Sequence, residues 1–296
     1  MHIALSQLVA GLSVASILLL IALGLTFTFG QMNVINMAHG EFLMAGAYTT
    51  YVLQRALGAQ LAGPSLLVSL VVAFVVAGLM GVILEATLIH RLYGRPLDTL
   101  LVTWGVSLVL QQLARDIFGA PNVQVVAPSW LRGGTTVLGV DLPWSRVFIV
   151  ALVVAAVVGI WAFLNRLPEG RRIRAVTQNR ELAACSGVAT DRVDRTTFFI
   201  GSGLAGVAGV ALTLLGSIGP TLGTNYIVDA FLVVVVGGLG HLRGAVIAAV
   251  ALGVLNAFVE YGTQASFAKV VVFVAIVAFL QLRPQGLVVL RTRTLT

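Results

Sequence analysis

Five stretches of the chain contain no Asp, Glu, Lys or Arg: Ile3–Ala38, Ala56–Leu84, Thr99–Ala114, Val147–Asn165 and Thr196–Val228. A helix that crosses the roughly 30 Å hydrocarbon core of a bilayer needs about 20 mostly apolar residues. Inside that core every backbone N–H and C=O must be satisfied within the protein, so only helices and closed barrels cross it. Barrel strands would show short alternating segments, and the runs here do not alternate. Charged residues are 10% of the chain, against about 25% in soluble domains. The sequence therefore predicts an all-α, polytopic transmembrane bundle forming one domain over residues 1–296.

The hydrophobic elements fall at about 5–29, 37–54, 64–90, 98–118, 146–164, 196–217, 227–240, 244–262 and 267–283. The 227–240 element is short for a full crossing, and FGQMN before 37–54 signals a break. Broken or re-entrant pieces are allowed where protein buries them. No basic n-region precedes the first apolar run, which is longer than a signal-peptide core. It is read as a membrane span.

The formal charge of +7 comes from 17 Arg and one Lys, gathered mostly in short loops. This is the positive-inside pattern rather than a nucleic-acid surface. Residues 165–195 hold seven arginines and are predicted to face the cytoplasm, as are Arg91, Arg95, Arg243, Arg283, Arg291 and Arg293. The 119–145 loop is then external, with Trp130 and Trp144 as interface anchors. The N-terminus is external if 37–54 crosses and cytoplasmic if it re-enters, and the sequence leaves both open.

Motifs of soluble enzymes fail in context. GSGLAG (Gly201–Gly206) fits G-x-G-x-x-G but sits within an apolar helix, where Gly201, Ala205 and Gly209 suit close helix packing. GGLGHLRG (Gly237–Gly244) lacks the Gly-Lys-Ser/Thr of a P-loop. His39-Gly40-Glu41 fits half of a zinc-deaminase signature, but the second half needs two cysteines and the chain has only Cys185. No catalytic, metal or cofactor site is expected.

Two groups of residues remain. Asn36, His39, Glu41, Thr49 and Thr50 place polar side chains in an apolar region. Intramembrane ionisable groups mark function by default, and two readings are open here: lining a pathway, or holding helices together. Glu85, Asp229 and Glu260 fall near predicted helix ends and read as interfacial. In the arginine-rich loop, Asn179–Ser186 predicts a short helix with Leu182, Ala183 and Cys185 on its apolar side, stopped by Gly187.

Glu181-Leu182-Ala183-Ala184-Cys185-Ser186-Gly187 resembles the coupling loop of ABC importer permeases. INMAHGEFLMAGAY (Ile35–Tyr48), AVTQNRELAACSGV (Ala175–Val188) and DAFLVVVVGGLGHLRGAVIAA (Asp229–Ala249) resemble the branched-chain amino acid permease family. Within it, VTWGVSLVLQQLARDIFG (Val102–Gly119), APSWL (Ala127–Leu131) and GPTLGTNYIVDAF (Gly219–Phe231) are most similar to the first membrane subunit of urea transporters. No proline follows Gly187 at the place usual in other importers, so only Glu181–Gly187 carries over.

The resemblance implies an inner-membrane, ATP-driven importer. Its partners would be a second permease, two cytoplasmic ATPases and a periplasmic solute-binding protein, with a small-molecule substrate and no nucleic acid. Ala183 and Ala184 would seat the coupling helix in an ATPase groove, and Glu181 and Gly187 would complete the motif. Urea is the expected solute, branched-chain amino acids the alternative, and a stand-alone channel for a small neutral solute a third reading.

Overall fold

The computed structural model describes residues 2–32, 34–137 and 140–288. Asn33, Arg291 and Arg293, which figure in the sequence reading, lie outside the described residues. The predicted helices are present: α1 (His2–Met32), α2 (His39–Leu57), α3 (Ala62–Thr87), α4 (Pro96–Phe118), α5 (Trp144–Arg166), α8 (Thr190–Leu212), α9 (Leu222–Gly237), α10 (Leu242–Gly262) and α11 (Ala265–Leu282). In the arginine-rich segment, α6 (Pro168–Gln178) lies where the sequence predicts no helix, and α7 (Arg180–Cys185) is the short helix predicted over Asn179–Ser186. A short antiparallel hairpin, β1 (Gly134–Val137) and β2 (Val140–Pro143), pairs Gly134 with Pro143 within the 119–145 segment.

Among the described residues, α1, α3, α4, α5, α8 and α10 are long and apolar enough to cross a membrane alone. The short elements complete their crossings differently. α1 ends at Met32, where Thr177 of α6 donates a hydrogen bond to the Gln31 side chain. The chain then turns back, with Val34, Asn36 and Ala38 buried. α2 resumes deep inside, where His39 lies beside Ile21 and Gly24 of α1. It continues to Gln54, which exchanges hydrogen bonds with the Val126 backbone at 2.7 and 2.8 Å. The 34–57 stretch is therefore one broken crossing. α1 begins on the face that carries the 119–145 segment, which decides the parity that the sequence leaves open.

The second half repeats this plan upside down. α8 starts at the arginine-rich face and ends at Leu212. Ile218 then pairs with Val123 of the 119–145 segment, and Ile218, Gly219 and Pro220 are buried. α9 starts five residues earlier than the hydrophobic run predicts, and returns to Gly237. Its 16 residues span about 24 Å, short of the core thickness, and the chain before Leu222 supplies the rest. α3 packs along α8 as α10 packs along α1. α1–α3 and α8–α10 thus form an inverted pair of the kind found in transporters. No sequence repeat announces it.

Glycine makes the close packing possible. A Cβ on Gly40 would lie 2.7 Å from the Gly223 carbonyl oxygen, so the first turns of α2 and α9 touch backbone to backbone. Gly209 lies against the backbone of Leu43 and Ala47, and Gly206 against Ala73 and Ala77. GSGLAG is thus part of the helix-packing core, because α8 runs through the centre with neighbours on several sides.

Candidate functional site

Two polar centres stand out, one at mid-depth and one at the arginine-rich face. At mid-depth Glu41, 1% exposed, accepts hydrogen bonds from Ser107 Oγ at 2.9 Å and Gln111 Nε2 at 3.0 Å, both on α4. Gln111 also donates to Thr224 Oγ1 on α9 at 3.0 Å. His39 faces the other way, and its Nε2 donates to the Ile21 carbonyl at 3.3 Å. Residues two apart on a helix point about 200° apart, so the two side chains bind α2 to different neighbours.

The extended approach to α2 is satisfied from α4. Thr103 Oγ1 accepts from the Met37 N–H at 3.0 Å and lies 3.2 Å from the Ile35 carbonyl. Without that acceptor the Met37 N–H would cost several kcal/mol, at a rough estimate, while the Thr103 hydroxyl proton has its shortest acceptor in the Thr99 carbonyl at 2.7 Å. Asn36 is 1% exposed, and among the described residues neither its amide oxygen nor its nitrogen has a hydrogen-bond partner. Thr49 and Thr50 donate to their own helix, at Ala45 and Gly46. They do not join Glu41.

At the arginine-rich face, Asn179 caps α7 by accepting from the Leu182 N–H at 2.9 Å. The helix ends in a Schellman arrangement: Val188 N–H to Ala183 and Gly187 N–H to Ala184, each 3.0 Å. Gly187 has φ +83°, a conformation that glycine adopts without a Cβ penalty. Space around it is open, so the backbone angle is what requires glycine. The predicted apolar side is divided. Ala183 is 5% exposed and packs into the chain, whereas Leu182 is 65% exposed and Glu181, Ala184 and Cys185 are also open. A six-residue helix turns 100° per residue, so Ala183 cannot share the free face with Leu182 and Cys185.

α7 is tied to the transmembrane helices by charges that sequence alone did not connect. Arg180 binds the buried Asp194 of α8 through two nitrogens, at 2.6 and 3.0 Å. That carboxylate raises the arginine above its ordinary pKa. The guanidinium also sits 5.0 Å from the centre of the Tyr93 ring. Tyr93 donates to Glu85 Oε1 at 3.1 Å, and burial pushes its hydroxyl well above the usual tyrosine range. Glu85 lies in the last turn of α3, near the helix end as the sequence predicts, but is fully buried there within the protein, with His90 and Arg195 at 3.8 and 3.7 Å. Asp229 is also displaced from its predicted place. Because α9 starts at Leu222, this residue lies in mid-helix and faces Lys269 Nζ at 3.7 Å. Glu260 stays at the end of α10, exposed.

The family described as the permease component of the branched-chain amino acid transport system matches residues 7–280. The chain belongs to this permease family. It is 30% identical to the high-affinity branched-chain amino acid permease protein BraD of Pseudomonas aeruginosa, over 96% of this chain and 95% of the relative. It is also 30% identical to LivH of Salmonella typhimurium, over 96% and 94%. A shorter match, 32% identity over 46% of this chain and 42% of the relative, joins it to the ribose import permease RbsC of Bacillus subtilis. No solved structure matches the chain. As a family member it is a multi-pass transport component. Among the described residues no group of His, Cys, Asp and Glu could hold a metal ion.

Proposed function

We propose that this chain is one permease of an ATP-driven importer in an inner membrane. The arginine-rich face lies in the cytoplasm, and an ATPase docks on the free face of α7, formed by Glu181, Leu182, Ala184 and Cys185. One observation carries this reading: a capped, sharply ended helix stands on the surface while Arg180 anchors it to buried Asp194 and, through Tyr93, reaches Glu85. A push on α7 would thereby be felt in α3 and α8. Ala183 serves as the inward anchor and Gly187 as the stop. A solute-binding protein meets the opposite face, and a second permease completes the pathway.

Urea is the proposed solute, supported by the Val102–Gly119, Ala127–Leu131 and Gly219–Phe231 resemblances. Branched-chain amino acids are the second reading, favoured by what BraD and LivH are named for. The test is uptake into vesicles carrying the whole complex, with labelled urea and labelled leucine in parallel. ATP-dependent urea uptake is expected. Leucine uptake without urea uptake would select the second reading, and uptake without ATP would overturn the importer itself.

A further inference from the structure

A cavity of about 930 Å³ lies between α1, α9, α10 and α11. Apolar side chains such as Ile17, Leu252 and Phe273 form much of it, yet Thr224, Asn225, Asp229, Asn256 and Lys269 also line it. A charge facing lipid at mid-helix costs roughly 2.5–3.5 kcal/mol even on insertion scales. Asp229 is such a charge at the middle of α9, and with Lys269 in the second turn of α11 and two asparagines beside it, this wall does not suit a lipid-facing surface. Near the cavity's edge, Asn122 of the 119–145 segment approaches Ser217 at 3.5 Å. From the other side, Thr224 hydrogen-bonds Gln111 and so joins the cavity to the Glu41 network.

The ion pair is loose. Lys269 Nζ and Asp229 Oδ2 are 3.7 Å apart, well beyond the roughly 2.7–2.9 Å of a charge-assisted hydrogen bond. Their side chains are 65% and 36% exposed. An ammonium has three donors and a carboxylate two acceptor oxygens, so most of the capacity of both groups faces the cavity. Lys269 is the only lysine in the chain.

We infer that this cavity is a solute-binding site for a small molecule of zero net charge that has a donor end for Asp229 and an acceptor end for Lys269. A cation would meet Lys269 and an anion Asp229, so both are disfavoured. Urea meets the requirement with its amide N–H groups and carbonyl oxygen, and a zwitterionic amino acid with its ammonium and carboxylate. The inference rests on the importer reading for its place in a transport cycle, but the site itself can be tested without it.

The experiment uses the full complex in vesicles, with Cys185→Ser in this chain. A cysteine at Asn225 is reacted with a charged, membrane-impermeant thiol reagent, and modification of this chain is read by mass. Urea or leucine should slow the reaction at least threefold, while guanidinium and sulfate should not. Protection by urea or by leucine identifies the source of the shared chemistry. Asp229→Asn and Lys269→Gln should each raise the solute concentration for half-maximal protection about tenfold, with assembly unchanged. Absence of protection while uptake proceeds, or loss of assembly in both variants, would overturn the site. Protection combined with ATP-independent uptake would leave the site standing and remove the importer reading.

Discussion

Glu41 offers the sharpest test of the mid-depth network. Replacing it with alanine removes the acceptor of two buried donors, Ser107 Oγ and Gln111 Nε2. An unsatisfied buried donor costs about 1–3 kcal/mol. Gln111 keeps Thr224 at 3.0 Å, so its share falls at the low end, whereas Ser107 loses its partner on α2. The expected loss for Glu41→Ala is about 2–4 kcal/mol. Glu41→Gln retains an oxygen for both donors and places an amide where Glu41 Oε2 has no partner, for an expected loss of about 1 kcal/mol. Melting of the purified subunit in detergent, together with its yield in the membrane, would rank them wild type, Gln, Ala. If Gln is as damaging as Ala, or if Ala matches wild type, Glu41 does not hold α2 to α4 and the reasoning fails.

Gly223→Ala should lower the melting temperature by the equivalent of about 1–3 kcal/mol of overpacking, because its Cβ would be driven into the Gly40 backbone; unchanged melting would disprove the close contact. Arg180→Ala should cost about 2–3 kcal/mol, less than the 3–5 of a fully buried pair because the arginine is partly exposed. Arg180→Lys should recover only part of this in the same measurement, since lysine cannot bind both carboxylate oxygens. Ala184→Arg should leave insertion and melting unchanged, as expected at an exposed position, yet abolish co-purification of the ATPases; retained co-purification would refute docking there. In a Cys185→Ser background, cysteines at Ser6 and Gly133 should be labelled from one side of the membrane and one at Arg172 from the other, and a shared side for all three would overturn the topology.

The long helices were legible because a charge-free run of bilayer length permits little else. The break before α2 was signalled by FGQMN, but its form was not. Residues 34–38 are as apolar as a helix, and the Thr103 hydroxyl that replaces their missing backbone partners lies 66 residues beyond Met37. α6 escaped notice because arginines dominate it. The available signals were Pro168 in its first turn and Ile173 and Val176 three apart, both buried. In the candidate site, the α7 stop could be read from Gly187 alone, since a left-handed backbone angle is a local demand. The pairings of Arg180 with Asp194, Glu85 with Arg195 and Asp229 with Lys269 could not, because each joins different helices. The inverted repeat was invisible because what recurs is a path through space, with a glycine at the crossing and otherwise different side chains.

The meeting of α2 and α9 at Gly40 and Gly223 has an electrical consequence. Each helix brings its N-terminal end to the middle of the membrane, and each such end carries roughly half a positive elementary charge. Two of them in contact place about one positive elementary charge at mid-depth, beside the Glu41 carboxyl in the first turn of α2. The two ends therefore offset a carboxylate there, and the crossing point is left without a net charge that would draw in a cation. The expected signature is negligible cation conductance in vesicles during uptake.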